Sequence, residues 1–94
     1  MIKVVAKSVV KEDKIDEYKN NVDELIEKTR NEEKNISYEL YQDLDNPNVL
    51  TFIEEWEDKA GLDKHMESDH FKKIVPKLDE LREKGKVNIY KLIK

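Results

Sequence analysis

Along this chain the side-chain period switches between two residues and about 3.6 in one fixed order, and few folds accept that order. Ile2, Val4, Ala6, Ser8 and Val10 alternate with Val5 and Val9, which is strand spacing with apolar residues on both faces. Ile15, Tyr18, Val22, Leu25, Ile26 and Thr29 then recur at helical spacing, with Asp13 as the expected N-cap and an end near Arg30. Strand spacing returns over 36–42, with Ile36, Tyr38 and Leu40 on one face and Ser37, Glu39 and Tyr41 on the other. The turn-rich DLDNPN follows, and then a third strand from Val49 to Trp56. Asp58 opens a short helix carrying Ala60, Leu62, His65 and Met66. Ser68 caps another, with Phe71, Ile74, Val75, Leu78 and Leu81 in phase, a kink or restart expected at Pro76 and a stop expected at Gly85. Residues 86–93 read as a last strand.

The order β-α-β-β-α-β in 94 residues is that of one α+β domain, 1–94, with a ferredoxin-like antiparallel sheet. Both helical segments would cover one face of that sheet. Val5, Val9, Tyr41 and Leu92 include positions on the other, and an apolar sheet face of that size marks an interface. Stacking a second copy sheet on sheet would cover it, so a homodimer is expected.

Composition narrows the function. Eighteen basic residues are interspersed with 22 acidic ones for a net charge of −4, so no concentrated basic face is available for nucleic acid. An RNA-binding version of the fold would also need an aromatic on the first strand, and there is none. The absence of cysteine removes disulfides, thiolate metal sites and cysteine nucleophiles. Apolar runs are too short to span a membrane, and Met1-Ile2-Lys3 leads straight into a strand, so a soluble, cytoplasmic protein is expected.

Chemistry-bearing residues concentrate between Val49 and Phe71. The only tryptophan, both histidines and one of the two phenylalanines lie there. His65 and His70 are candidates for proton transfer near neutral pH, the plainer role being to order the junction between two helices. Their separation of five residues and the lack of an evident acidic partner argue against a metal site. Trp56 either fills the gap between sheet and helix or stacks on a ligand. Tyr41, Phe52 and Tyr90 line a pocket or fill the core, and strand parity alone does not say which.

The element order, the phrase SYELYQD and the run FIEEWEDKAGLDKHMESDHFK together resemble the antibiotic biosynthesis monooxygenase family, in its small quinol-monooxygenase-like branch. Glu55, Trp56, Leu62, His65, His70 and Phe71 carry the most specific part of the likeness. The resemblance implies a dimeric α+β barrel and oxygenation of a quinol-like or polyketide aromatic by O2, with no cofactor. It implies His65 and His70 as catalytic residues, and Trp56, Tyr41, Phe52, Phe71 and Tyr90 against the substrate. In the haem-degrading branch an Asn, a Trp and a His form the site, and Lys7, His65 and Val75 stand there instead, which argues against haem. Arg30 and Arg82 are the only arginines able to steady an oxyanion, and both read as exposed helix positions. Two other readings remain open: an isomerase or degradative enzyme on a small phosphorylated signalling metabolite, and a non-catalytic dimeric binding or stress domain.

Overall fold

The computed structural model describes all 94 residues. In order it contains β1 (Ile2–Val10), a 3-10 turn (Glu12–Lys14), α1 (Ile15–Asn20), α2 (Asp23–Arg30), β2 (Asn35–Gln42), β3 (Val49–Trp56), α3 (Lys59–Met66), α4 (Asp69–Glu80) and β4 (Arg82–Lys91). The strands form one open sheet in the order β2-β3-β1-β4, with every neighbouring pair antiparallel. This is the expected ferredoxin-like α+β arrangement. No helix is long and apolar enough to cross a membrane.

Register decides which side chains meet. Val4 pairs with Glu54 and Ile89, Ala6 with Phe52 and Val87, and Ser8 with Leu50 and Gly85. Tyr38 stands opposite Glu54. Because side chains alternate, all of these share the face that the helices cover. Trp56, Leu50, Val10 and Leu25 are completely enclosed between the layers. Val5, Val9, Val49 and Ile53 fall on the other face with Tyr41 and Tyr90, which are about half exposed.

Local signals explain most boundaries. Asp43 Oδ1 accepts from the backbone N–H groups of Asp45 (2.8 Å) and Asn46 (2.9 Å), closing the β2–β3 turn. Asp58 caps α3 by accepting from Gly61 N at 2.9 Å, and Ser68 caps α4 by accepting from Phe71 N at 3.3 Å.

Three local expectations are corrected, and at Pro76 one of the two expected alternatives falls away. Asp13 lies inside the 3-10 turn and caps nothing. The first helical segment breaks at Asn21, whose side-chain amide donates to Glu17 O at 2.8 Å and competes with the helical ladder. The segment from Asp69 to Glu80 runs through Pro76 without a restart. It ends before Leu81 with no glycine, and pairing with β1 draws Arg82–Lys86 into β4, so Gly85 sits within a strand rather than at a helix end.

Candidate active site

Helices cover β1, β2 and β3 but leave the edge strand β4 open, and Val87 and Ile89 are about half exposed on the helix side. Small side chains face one another beneath, with Ala6 beside Val87 and Ser8 beside Gly85. The result is a cavity of 280 Å3 between sheet and helices, with 13 of its 18 lining residues hydrophobic. Phe52, Phe71, Val75 and Met66 form part of its walls.

One end of the cavity is acidic and aromatic. Glu54 stands at an inward position of β3 and is only 5% exposed. Its Oε1 accepts from Trp56 Nε1 at 3.0 Å, while Oε2 has no protein partner. Burial pushes the Glu54 carboxyl up to about 7, the Trp56 hydrogen bond opposes this, and the charge of Glu32 adds to it. His65, 2% exposed, stacks against Trp56 with ring centroids 4.8 Å apart and meets the edges of Tyr38 and Phe71 at 5.4 and 5.1 Å. Burial lowers its pKa below the ordinary histidine value, and the hydrogen bond and charge of Glu32 oppose the shift. Nδ1 is 2.7 Å from Glu32 Oε2. Nε2 makes no hydrogen bond, and since Thr29 Oγ1 is the one enclosed side-chain polar atom lacking a partner, Nε2 borders open space. Tyr38 lines the same end, and burial raises its pKa far above the ordinary phenol value.

The other end lies four residues along β1, about 13 Å away at strand rise. Arg82 donates from Nη1 to Ser8 Oγ at 3.4 Å and pairs through Nη2 with Asp79 at 3.0 Å. Tyr18 completes this end, its phenol raised by burial. Arg82 is therefore a half-buried cavity residue and not an exposed helix position, because β4 begins with it. It is the one lysine or arginine in the lining.

The predicted residues divide clearly. His65, Phe52 and Phe71 line the cavity. Trp56 stands behind it, fixing Glu54 and His65, and borders an outer groove instead. His70 also stands behind, with Nε2 2.7 Å from Glu32 Oε2. Tyr41 and Tyr90 are corrected: register places both on the far sheet face, paired with Thr51 and Lys3, where they cannot reach the cavity. Glu54, Tyr38 and Glu32 carried no expected role. The first two were discoverable, since Glu54 shares strand parity with Phe52 and Trp56, and Tyr38 is the aromatic on the apolar face of β2. Glu32 sits in the polar connector and had no such signal.

Glu32, His65 and His70 also bear on metal binding, and here an acidic partner does stand beside both histidines. Their candidate donor atoms lie within 4.8 Å of one another. Both nitrogens are 2.7 Å from the same oxygen, which is hydrogen-bond spacing. Donors around one tetrahedral zinc at ~2.0–2.1 Å stand roughly 3.3 Å apart. The arrangement is a carboxylate shared by two imidazoles.

A two-layer α+β fold with a largely apolar cavity that holds a buried carboxyl and a buried imidazole has the form of a small-molecule enzyme or binding protein. Comparison with known proteins narrows that class. A family model described as antibiotic biosynthesis monooxygenase matches residues 1–77, and the chain belongs to that family. It is 33% identical over 81 residues to the Bacillus subtilis (strain 168) protein named "Putative monooxygenase YcnE", covering 86% of this chain and 85% of that one. A crystal structure of a conserved protein from Methanosarcina mazei Go1 superposes with a TM-score of 0.96 at 48% identity, over 98% of this chain and 92% of the other. A crystal structure titled antibiotic biosynthesis monooxygenase matches with a TM-score of 0.94 at 36% identity over the whole of both chains.

Proposed function

We propose that the protein is a monooxygenase that oxidises a small quinol-like aromatic with O2, using no cofactor, in the cavity between sheet and helices. The observation that carries this reading is that one apolar cavity is lined by both a buried imidazole, His65, and a buried carboxyl, Glu54, with burial lowering the pKa of the first and pushing the second up to about 7. A neutral His65 suits the role of base, and a protonated Glu54 suits the role of acid. The volume of 280 Å3 lies just below the usual ~300–1,000 Å3 of ligand pockets, which favours one or two fused rings over a large polyketide.

The chemistry follows from proton placement. His65 Nε2 takes the proton of a phenolic O–H, and the electron pair of that bond stays on oxygen. The phenolate, in an apolar enclosure, is a strong reductant toward O2. One-electron transfer and recombination join oxygen to a ring carbon as a peroxide. Glu54 protonates the outer oxygen to a hydroperoxide. Its carboxylate then takes the hydrogen of the oxygenated ring carbon, whose C–H electron pair forms the new C=O as the O–O bond breaks, and the departing hydroxide leaves as water with the proton held by His65. For a quinol the balance is quinol plus O2 giving hydroxyquinone plus water. Arg82 and Ser8, about 13 Å along β1 from the Glu54 end, are too far to meet the second oxygen of a single quinol ring and favour a substrate that carries a further polar group at its far end.

The two other readings carry less. A phosphorylated substrate wants several cations, and the only lysine or arginine in the cavity, Arg82, is paired with Asp79. A purely structural domain does not need a cavity holding an uncompensated carboxyl. We also propose a homodimer through the far sheet face, supported by the half-exposed Tyr41 and Tyr90 beside Val5, Val9, Val49 and Ile53.

The test is O2 uptake by chelator-treated protein with a panel of quinols, with mass analysis of product formed under 18O2. Uptake with one labelled oxygen in the product, abolished in His65→Ala, is expected. A folded wild type that consumes no O2 with any quinol would overturn the reading.

A further inference from the structure

Glu32 is separated from His65 by 33 residues and from His70 by 38, yet one of its oxygens meets both. An ionised carboxylate only accepts hydrogen bonds, so the nitrogens facing it, His65 Nδ1 and His70 Nε2, both carry hydrogen. That holds neutral His65 in the tautomer whose lone pair is on Nε2, the nitrogen left free. Buried as it is, His65 has little contact with bulk water. Glu32 does, because it lines an outer groove of 660 Å3 whose walls also carry Glu33, Glu67 and Asp69. His65 borders the inner cavity and not this groove, and Glu32 borders the groove and not the cavity. The order from outside inward is groove, Glu32, His65, cavity.

We infer that Glu32 and His70 are positioning residues that form a proton conduit between the outer groove and the base in the cavity. This rests on the monooxygenase reading for the proton's origin, though the triad itself does not depend on it. When Nε2 of His65 receives the substrate proton, the imidazolium releases its Nδ1 proton to Glu32, and Glu32 passes it to water in the groove. His65 is then neutral with its hydrogen on Nε2, and the resting tautomer is restored when Nε2 gives that proton to the departing oxygen in the cavity while Nδ1 regains one from the groove through Glu32. The N–H of His70 fixes the Glu32 carboxylate in place from the α4 side. The titratable groups facing His65 are Glu32 from the α2–β2 connector, His70 from α4 and Tyr38 from β2, with Glu54 of β3 in the same cavity. Only Glu32 is hydrogen-bonded to it.

The deciding experiment has two arms. In the first, 15N-edited NMR of the labelled protein without substrate reads the histidine tautomers between about pH 5 and 8. Hydrogen on Nδ1 of His65 and on Nε2 of His70 is expected, with the pattern lost in Glu32→Gln. Hydrogen on Nε2 of neutral His65 overturns the inference, whatever the protein's activity. In the second arm, Glu32→Gln lowers kcat for quinol oxidation about 10- to 100-fold, the scale seen when a partner that orients a histidine is removed, with KM changed less than about threefold. Glu32→Ala regains rate on addition of formate, which enters through the groove, and His65→Ala does not. A Glu32→Ala protein that folds, turns over slowly and shows no formate rescue overturns the conduit while leaving the oxygenase reading intact. Absence of O2 uptake by the wild type instead fails the oxygenase reading, and the NMR arm still decides the triad.

Discussion

Replacing Glu54 by Gln should make the protein more stable at alkaline pH. Folding raises the Glu54 pKa from 4.5 to about 7, mainly by burial, so the folded state binds more protons than the unfolded state between those values. The resulting stability is fully present below the unfolded pKa and is lost as pH rises through the folded one. A shift of about 2.5 units corresponds to roughly 3 kcal/mol at ~1.4 kcal/mol per unit. Gln keeps the shape and can still accept from Trp56 Nε1, but it cannot ionise. The variant should therefore match the wild type near pH 4 and exceed it by up to about 3 kcal/mol at pH 8, on the order of 10 °C in Tm for a domain of this size. Urea unfolding at fixed protein concentration from pH 4 to 9 measures the difference directly. Parallel stability curves for the two proteins would refute the claim that a buried, uncompensated carboxyl sits in this cavity. The same substitution should lower the oxidation rate about 100-fold by removing the acid, so the site trades stability for activity.

Trp56→Phe removes the donor to Glu54 Oε1 and should cost at least the ~1–3 kcal/mol of an unsatisfied buried group. Since that hydrogen bond holds the Glu54 pKa down, the alkaline fall in activity should also move to higher pH. At Gly85 a Cβ would overlap the Arg82 guanidinium. Gly85→Ala should therefore displace Arg82 from Ser8 and raise KM several-fold with little change in kcat, read by steady-state kinetics. The double replacement Tyr41→Ser and Tyr90→Ser should leave the subunit folded, by circular dichroism, while sedimentation shows a shift toward monomer.

The fold was legible because its signals are redundant. Each strand announced its two faces by parity, and Asp58 and Ser68 marked the helix starts that bring His65 and His70 together. The failures have local causes. Charged Arg82–Lys86 looked like a helix end, and only pairing with β1 makes it a strand, a tertiary effect on a segment of weak propensity. Asn21 breaks a helix whose apolar phase continues past it. The site was half legible. His65, Phe52 and Phe71 line the cavity and Glu54 stands on the inward parity of β3, but parity does not tell which face of the sheet holds the cavity, so the far-face positions of Tyr41 and Tyr90 were not legible. Glu32 was invisible because its role comes from a meeting of the α2–β2 connector with α3 and α4 that no spacing records.

The most direct test of the central claim is the pH dependence of kcat/KM for O2 uptake in the wild type and in Glu54→Gln. The account predicts a bell for the wild type. Activity rises as His65 loses its proton below the ordinary histidine pKa, and it falls near pH 7 as Glu54 ionises. In Glu54→Gln the alkaline limb should disappear along with most of the rate. An alkaline limb that persists unchanged in Glu54→Gln would contradict the account, because the acid would then lie elsewhere.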